Sequence, residues 1–158
     1  MRKSRVSVRS FLPLALVLLM LLPGLVNAYP EGIGGEQQNG AETIDDVAKE
    51  GCLCHGAEPS NSVMILLVGV PHTWAPDQVY NMRLEIVGGP ATDMGGFSAR
   101  VSAGEFSGDG QAWEDDTATR THVSSATRIF EITWTAPTAG AGHIDFWITG
   151  NAVNGADG

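Results

Sequence analysis

From residue 62 onward the chain is patterned like a series of strands. SVMILLVGV (62–70) is a continuous apolar, partly β-branched run that Pro71 ends. VYNMRLEIV (79–87) alternates, with Tyr80, Met82, Leu84 and Ile86 on one face and Val79, Asn81, Arg83 and Glu85 on the other. GGFSARVSAGEF (95–106) sets Phe97, Ala99 and Val101 against Ser98, Arg100 and Ser102. ATRIFEITWTAP (126–137) sets Phe130, Ile132 and Trp134 against Ile129 and Glu131, and GHIDFWITG (142–150) sets Ile144, Phe146 and Ile148 against His143, Asp145 and Trp147. A period of two is that of a strand with one buried face. Clusters of Gly, Pro, Asn and Asp between the stretches are turn chemistry. Short strands at this spacing, without a second helix, predict an all-β, antiparallel β-sandwich. Met64 and Met82, lying among apolar strand residues, are expected in its core.

The first 61 residues read differently. Residues 1–28 join a basic head (Arg2, Lys3, Arg5, Arg9) to an apolar run, FLPLALVLLMLLPGLV (11–26), and close on Val26-Asn27-Ala28. That is the build of a secretory signal peptide, and the run is short for a membrane span. Residues 29–41, beginning YPEGIGGEQQNG, form a Gly-rich spacer. The domain proper is expected over 42–158. It opens with a short helix in AETIDDVAKEG (41–51), where Ile44, Val47 and Ala48 share a face and Gly51 stops the turn.

Export changes the charge balance. Removing the four basic residues of the head from the chain's nine leaves five against 18 acidic ones, a net charge of −13. Such a surface repels nucleic acid, which selects basic faces. It favours solubility and cationic partners.

The helix leads into GCLCHG (51–56), which holds both cysteines of the chain, Cys52 and Cys54, followed by His55. A disulfide between them would close too small a loop to stabilise the fold and would strain the backbone. The element is one residue short of the haem-attachment signature C-x-x-C-H. On a helix, Cys52 and Cys54 would lie about 200° apart. In an extended segment they share a face that His55 leaves. Only a turn, which Gly51 and Gly56 permit, brings all three groups together. Two thiolates and an imidazole also suit copper(I) or zinc, with a methionine or histidine from the sandwich as fourth ligand. The spacing leaves haem, a soft-metal site and an unligated, redox-labile pair all open.

Taken in order, GCLCHG, a V-P-x-x-W-x-P-D-x-x-Y element (70–80), GGFSARVSAGEF, the pair Thr121-His122, WTAP (134–137) and GNAVNG (150–155) form a familiar series. They resemble the exported Reeler-like sandwich modules called choice-of-anchor V domains, over roughly residues 50–155. The resemblance implies an Ig-like or Reeler-like sandwich at the cell surface, with a C-x-x-C-H or C-x-C-H element before the first strand. It also implies a C-terminal surface anchor, through which the protein would meet a membrane or cell surface. This chain departs from that pattern by stopping at Gly158 without an apolar tail, and so reads as incomplete or anchorless.

With the resemblance added, the leading expectation is an exported redox module. Cys52 and Cys54 would hold haem c, His55 would be the proximal iron ligand, and a redox partner protein would exchange electrons with it. His122, in a polar segment and matching the Thr-His pair, is the first choice for the second axial ligand, and Met94 before Gly95-Gly96 the alternative. His143 reads as a surface histidine and His72 as a ring packed on Trp74. Trp74, Trp134 and Phe97 are candidate walls for a porphyrin, each equally well explained as core. The other reading is a non-enzymatic adhesion or ligand-binding sandwich whose CLCH element binds copper, zinc or nothing. Asp109, Glu114, Asp115 and Asp116 lack the spacing of a calcium loop and are expected as a solvated turn. No nucleophile elbow, phosphate loop or isolated acid–base dyad stands out, so no catalytic residue is assigned.

Overall fold

The computed structural model describes residues 60–113 and 115–154. The expected signal peptide, spacer and helix, and Cys52, Cys54 and His55, lie outside the described residues.

Eight strands follow in order: β1 (Val63–Val68), β2 (Val79–Gly88), β3 (Gly95–Val101), β4 (Glu105–Gly108), β5 (Gln111–Trp113), β6 (Asp116–Thr121), β7 (Ile129–Thr135) and β8 (Phe146–Ala152). They form two four-stranded sheets, β1-β2-β7-β4 and β5-β6-β3-β8. Every strand pairing within the sheets is antiparallel. The molecule is the all-β sandwich that the alternation predicts.

The core forms where the two inner faces meet. Met82, Leu84 and Ile86 of β2 and Phe130, Ile132 and Trp134 of β7 come from one sheet, and Phe97, Ala99 and Val101 of β3 from the other. Their rings interlock: Phe97 meets Phe130 at 4.6 Å between centroids, and Trp134 meets Phe146 edge-on at 5.1 Å. Tilted and edge-on contacts of this kind place the positive rim of one ring near the negative face of another.

Three expectations need correction. The 95–106 stretch is two strands, because the chain turns at Ser102-Ala103-Gly104 and crosses between sheets. Gly104 adopts a φ of 89°, and a side chain there would strike the Trp134 ring. The Ala103 carbonyl at this turn accepts the Trp134 Nε1–H bond at 3.1 Å. Second, the acidic turn holds β5 and the first residue of β6, a hairpin built without apolar alternation. Buried Thr119 and Thr121 replace aliphatic residues there because their hydroxyls bond the Asp116 and Phe97 carbonyls, at 2.7 and 3.1 Å. Third, Met64 is exposed, because β1 turns Val63, Ile65 and Leu67 toward the core and Met64 outward; Met82 is buried as expected.

Candidate functional site

Antiparallel pairing gathers the starts of β1, β3 and β7 and the ends of β2, β6 and β8 at one end of the sandwich. The sheets close on each other there: a side chain at Gly89 would meet both Val63 and Ala152, and one at Gly95 would meet Arg128 and Ile86. Met94 and His122 both belong to this end. So does Ser60, where the described chain begins, since the Val63 amide bonds the Ser60 carbonyl and the Gly89 amide bonds the Ser62 carbonyl.

His122 sits where β6 stops pairing with β3. Its backbone N–H donates to the Phe97 carbonyl at 3.2 Å, which continues the ladder for one step. The Phe97 N–H then finds a side chain, the His122 Nδ1, at 3.0 Å. The ring lies where a side chain of residue 96 would be: a Cβ there would stand 2.4 Å from Cε1 and 2.5 Å from Nε2. Gly96 therefore makes room for the imidazole, and Phe97 fixes its orientation. The Phe97 carbonyl also lies 3.0 Å from Nδ1. Two tautomers thus have a partner: Nδ1 accepting from the Phe97 amide, or Nδ1–H donating to its carbonyl. The second leaves Nε2 free to bind a metal, in the arrangement by which ligating histidines are usually oriented. Its cost is one unpaired amide, about 1–3 kcal/mol. A structural zinc site supplies roughly 10–16 kcal/mol shared among its ligands, enough to offset that cost. By this test His122 fits an iron, copper or zinc ligand.

Met94 lies two residues before Gly96 and is half-buried. Its backbone is pinned. The Arg128 guanidinium donates to the carbonyls of Met94 (2.9 Å), Gly88 (2.5 Å) and Pro90 (2.7 Å), and the Val153 amide bonds the Met94 carbonyl at 3.1 Å. Thr92 Oγ1 donates to the Val153 carbonyl and lies 3.4 Å from the Met94 amide. Sequence reasoning missed Arg128 and the fit of Gly96 beneath His122. An arginine preceding an apolar strand was the available signal for the first; nothing in the order of residues reveals the second.

The opposite end carries a cleft of about 500 Å³. Val70, Pro71, His72, Trp74, Ile144 and Phe146 line it above the buried Trp134. Trp74 donates Nε1–H to the Gly142 carbonyl at 3.2 Å and meets Trp134 nearly at right angles, 6.4 Å between centroids. His72 is exposed at its rim. His143 precedes β8 rather than lying in it, and is a surface histidine as expected, 87% exposed with Nε2 3.2 Å from Asp145 Oδ1. Trp134 and Phe97 are core residues, and of the proposed walls only Trp74 borders open space. Four residues lie between His55 and Ser60, five steps with a reach of about 17 Å at full extension. The cleft lies beyond the far end of β1.

No group of three or more His, Cys, Asp and Glu side chains able to hold a metal occurs among the described residues. Of the acidic turn, Asp109 Oδ2 accepts from the Glu131 amide at 2.8 Å, and Asp116 Oδ1 accepts from the Ala118 amide at 3.0 Å while its other oxygen pairs with Arg100.

No family model matches the chain, and no curated protein matches it. Among solved structures it is similar to the reeler domain of human F-spondin (fragment 1), with 18% identity and a TM-score of 0.45 over 58% of this chain and 76% of that one. It is likewise similar to the Reelin-N domain of F-spondin, with 20% identity and a TM-score of 0.44 over 58% of this chain and 72% of that one. Strand order and core, rather than this likeness, define the architecture, and the choice-of-anchor resemblance rests on the ordered motifs alone.

Proposed function

We propose that the chain is an exported, non-enzymatic redox carrier of the choice-of-anchor kind. Cys52 and Cys54 would hold haem c, and His55 together with His122, or Met94 in its place, would ligate the iron. One observation supports the reading: the chain enters the sandwich at Ser60, on the same end that holds His122 and Met94. Haem bound there supplies a one-electron couple. The chain's own part is to orient the His122 ring through Phe97 and to hold the Met94 backbone through Arg128. The same four donors, Cys52, Cys54, His55 and His122, would suit copper(I) or zinc.

The test is a pyridine-haemochrome spectrum of the denatured chain, with its intact mass, after export by a cell that matures c-type cytochromes. The expected result is haem that survives denaturation on a chain cut after Ala28. His122→Ala should then change the visible spectrum of the native protein and leave attachment intact. A colourless chain at the bare mature mass overturns the haem reading, and metal analysis of that chain decides whether copper or zinc takes its place.

A second reading, a surface ligand-binding sandwich, is favoured by the Trp74 cleft. An aromatic wall of Trp74 and Phe146 beside His72, Thr73 and His143 suits a planar group that carries polar substituents.

A further inference from the structure

We propose that the Trp74 cleft receives the guanidinium of an arginine side chain on a basic partner protein. Resting on the second reading above, in which this cleft is a ligand site, the assignment names what it binds.

Two segments form the cleft, and one bond ties them together. Residues Val70 to Trp74, between β1 and β2, make one wall, and Gly142 to Ile144, just before β8, make the other. The bond from Trp74 Nε1–H to the Gly142 carbonyl spans the two. The indole is braced from below as well. It meets Trp134 nearly at right angles, and Trp134 in turn stacks on Tyr80 at 5.5 Å between centroids. The Ala75 amide, next to Trp74 in the chain, donates to Tyr80 Oη at 2.8 Å. A ring ordered before its ligand arrives limits the entropy lost on binding.

Asp145 supplies the charge. Its N–H donates to Ser102 Oγ at 2.9 Å and its carbonyl accepts from the Ser102 N–H at 3.0 Å, so its backbone is fixed on both sides. Its exposed carboxylate stands 3.2 Å from Nε2 of His143, which lines the cleft. Asp77 and Glu105 flank the last residues of β7 at the same end, the first through the Pro137 carbonyl and the second opposite Thr135. The described arginines are engaged elsewhere. Arg83 pairs with Glu85, Arg100 with Asp116, and Arg120 with the Gly108 and Asp109 carbonyls, while Arg128 clamps the opposite end. A mature chain of net charge −13 draws cations and repels anions.

The lining asks for three properties at once. Trp74 and Phe146 suit a flat group, His72, Thr73 and His143 suit polar substituents, and the acidic rim suits a positive charge. An ammonium is a strongly hydrated point charge without a plane. A guanidinium is planar, weakly hydrated and always charged; it stacks on an aromatic face while its N–H groups donate in plane to a carboxylate. Val70, Pro71 and Ile144 suit the methylene stem that carries it in arginine.

Titration of N-acetylarginine amide into the isotope-labelled mature chain, followed by the Trp74 indole N–H resonance, tests the proposal. The expected result is a saturable shift at Trp74, with the Gly96 and Phe97 amides unmoved. N-acetyllysine amide has the charge without the plane, and N-acetylcitrulline amide the plane without the charge. Each should bind at least about threefold more weakly than the arginine probe. Asp145→Asn, an exposed and conservative change, should weaken the arginine probe at least about threefold and leave the citrulline probe unchanged. Equal binding of the three probes, or an arginine affinity indifferent to Asp145→Asn, overturns the guanidinium assignment and leaves the cleft a ligand site. Silence at Trp74 with all three overturns both.

Discussion

The two ends of the sandwich both carry histidines and differ in how they hold them. At the Gly95 end, His122 is seated on Gly96 and tied to Phe97, and the loop before it is clamped by Arg128. At the Trp74 end, His72 and His143 stand in solvent beside aromatic rings whose own polar atoms are already bonded. An imidazole already oriented loses little freedom when it binds a metal, whereas an exposed one must be immobilised first. A histidine's chemistry is thus set less by its neighbours in sequence than by whether the backbone around it has a use for its ring.

The largest effect should come from breaking the clamp. Arg128→Ala leaves the Met94, Gly88 and Pro90 carbonyls without their charged donor and should cost about 3 kcal/mol in urea unfolding, with faster hydrogen exchange in the loop from Gly88 to Met94. Gly96→Ala sharpens the contrast. Its Cβ cannot coexist with the ring at 2.4 Å, so the imidazole must leave and the Phe97 amide loses its acceptor. A loss of about 1–3 kcal/mol is expected, together with the same spectral change as His122→Ala if the ring is an axial ligand. At the other end, His72→Ala and His143→Ala should change stability by no more than about 0.5 kcal/mol, because neither exposed ring holds anything in place. Equal losses at both ends would remove the distinction.

Most of the sandwich was legible where burial had one-sided consequences. β2 and β7 alternate cleanly because one face of each meets the core and the other meets water. β6 was not legible, since Thr119 and Thr121 are buried through hydroxyl bonds that a hydropathy pattern cannot register. β3 was read too long because Gly104, a sharp turn in space, interrupts the alternation by only a few residues. In β1 both faces are apolar, so the pattern could not say that Met64 points outward.

The same division holds for the candidate site. CLCH, His122 and Met94 were chosen from residue type and polar context, which one strand's worth of sequence displays. The placement of His122 and Met94 was not, because Gly89, Gly95, His122 and Arg128 reach one end of the sandwich only through antiparallel pairings between distant segments. Alternation and turn residues determined by themselves that this chain builds an antiparallel sandwich, since those act over a few neighbouring positions. Only the tertiary structure decided which histidine is held and which methionine is outside, since each depends on what another strand leaves uncovered.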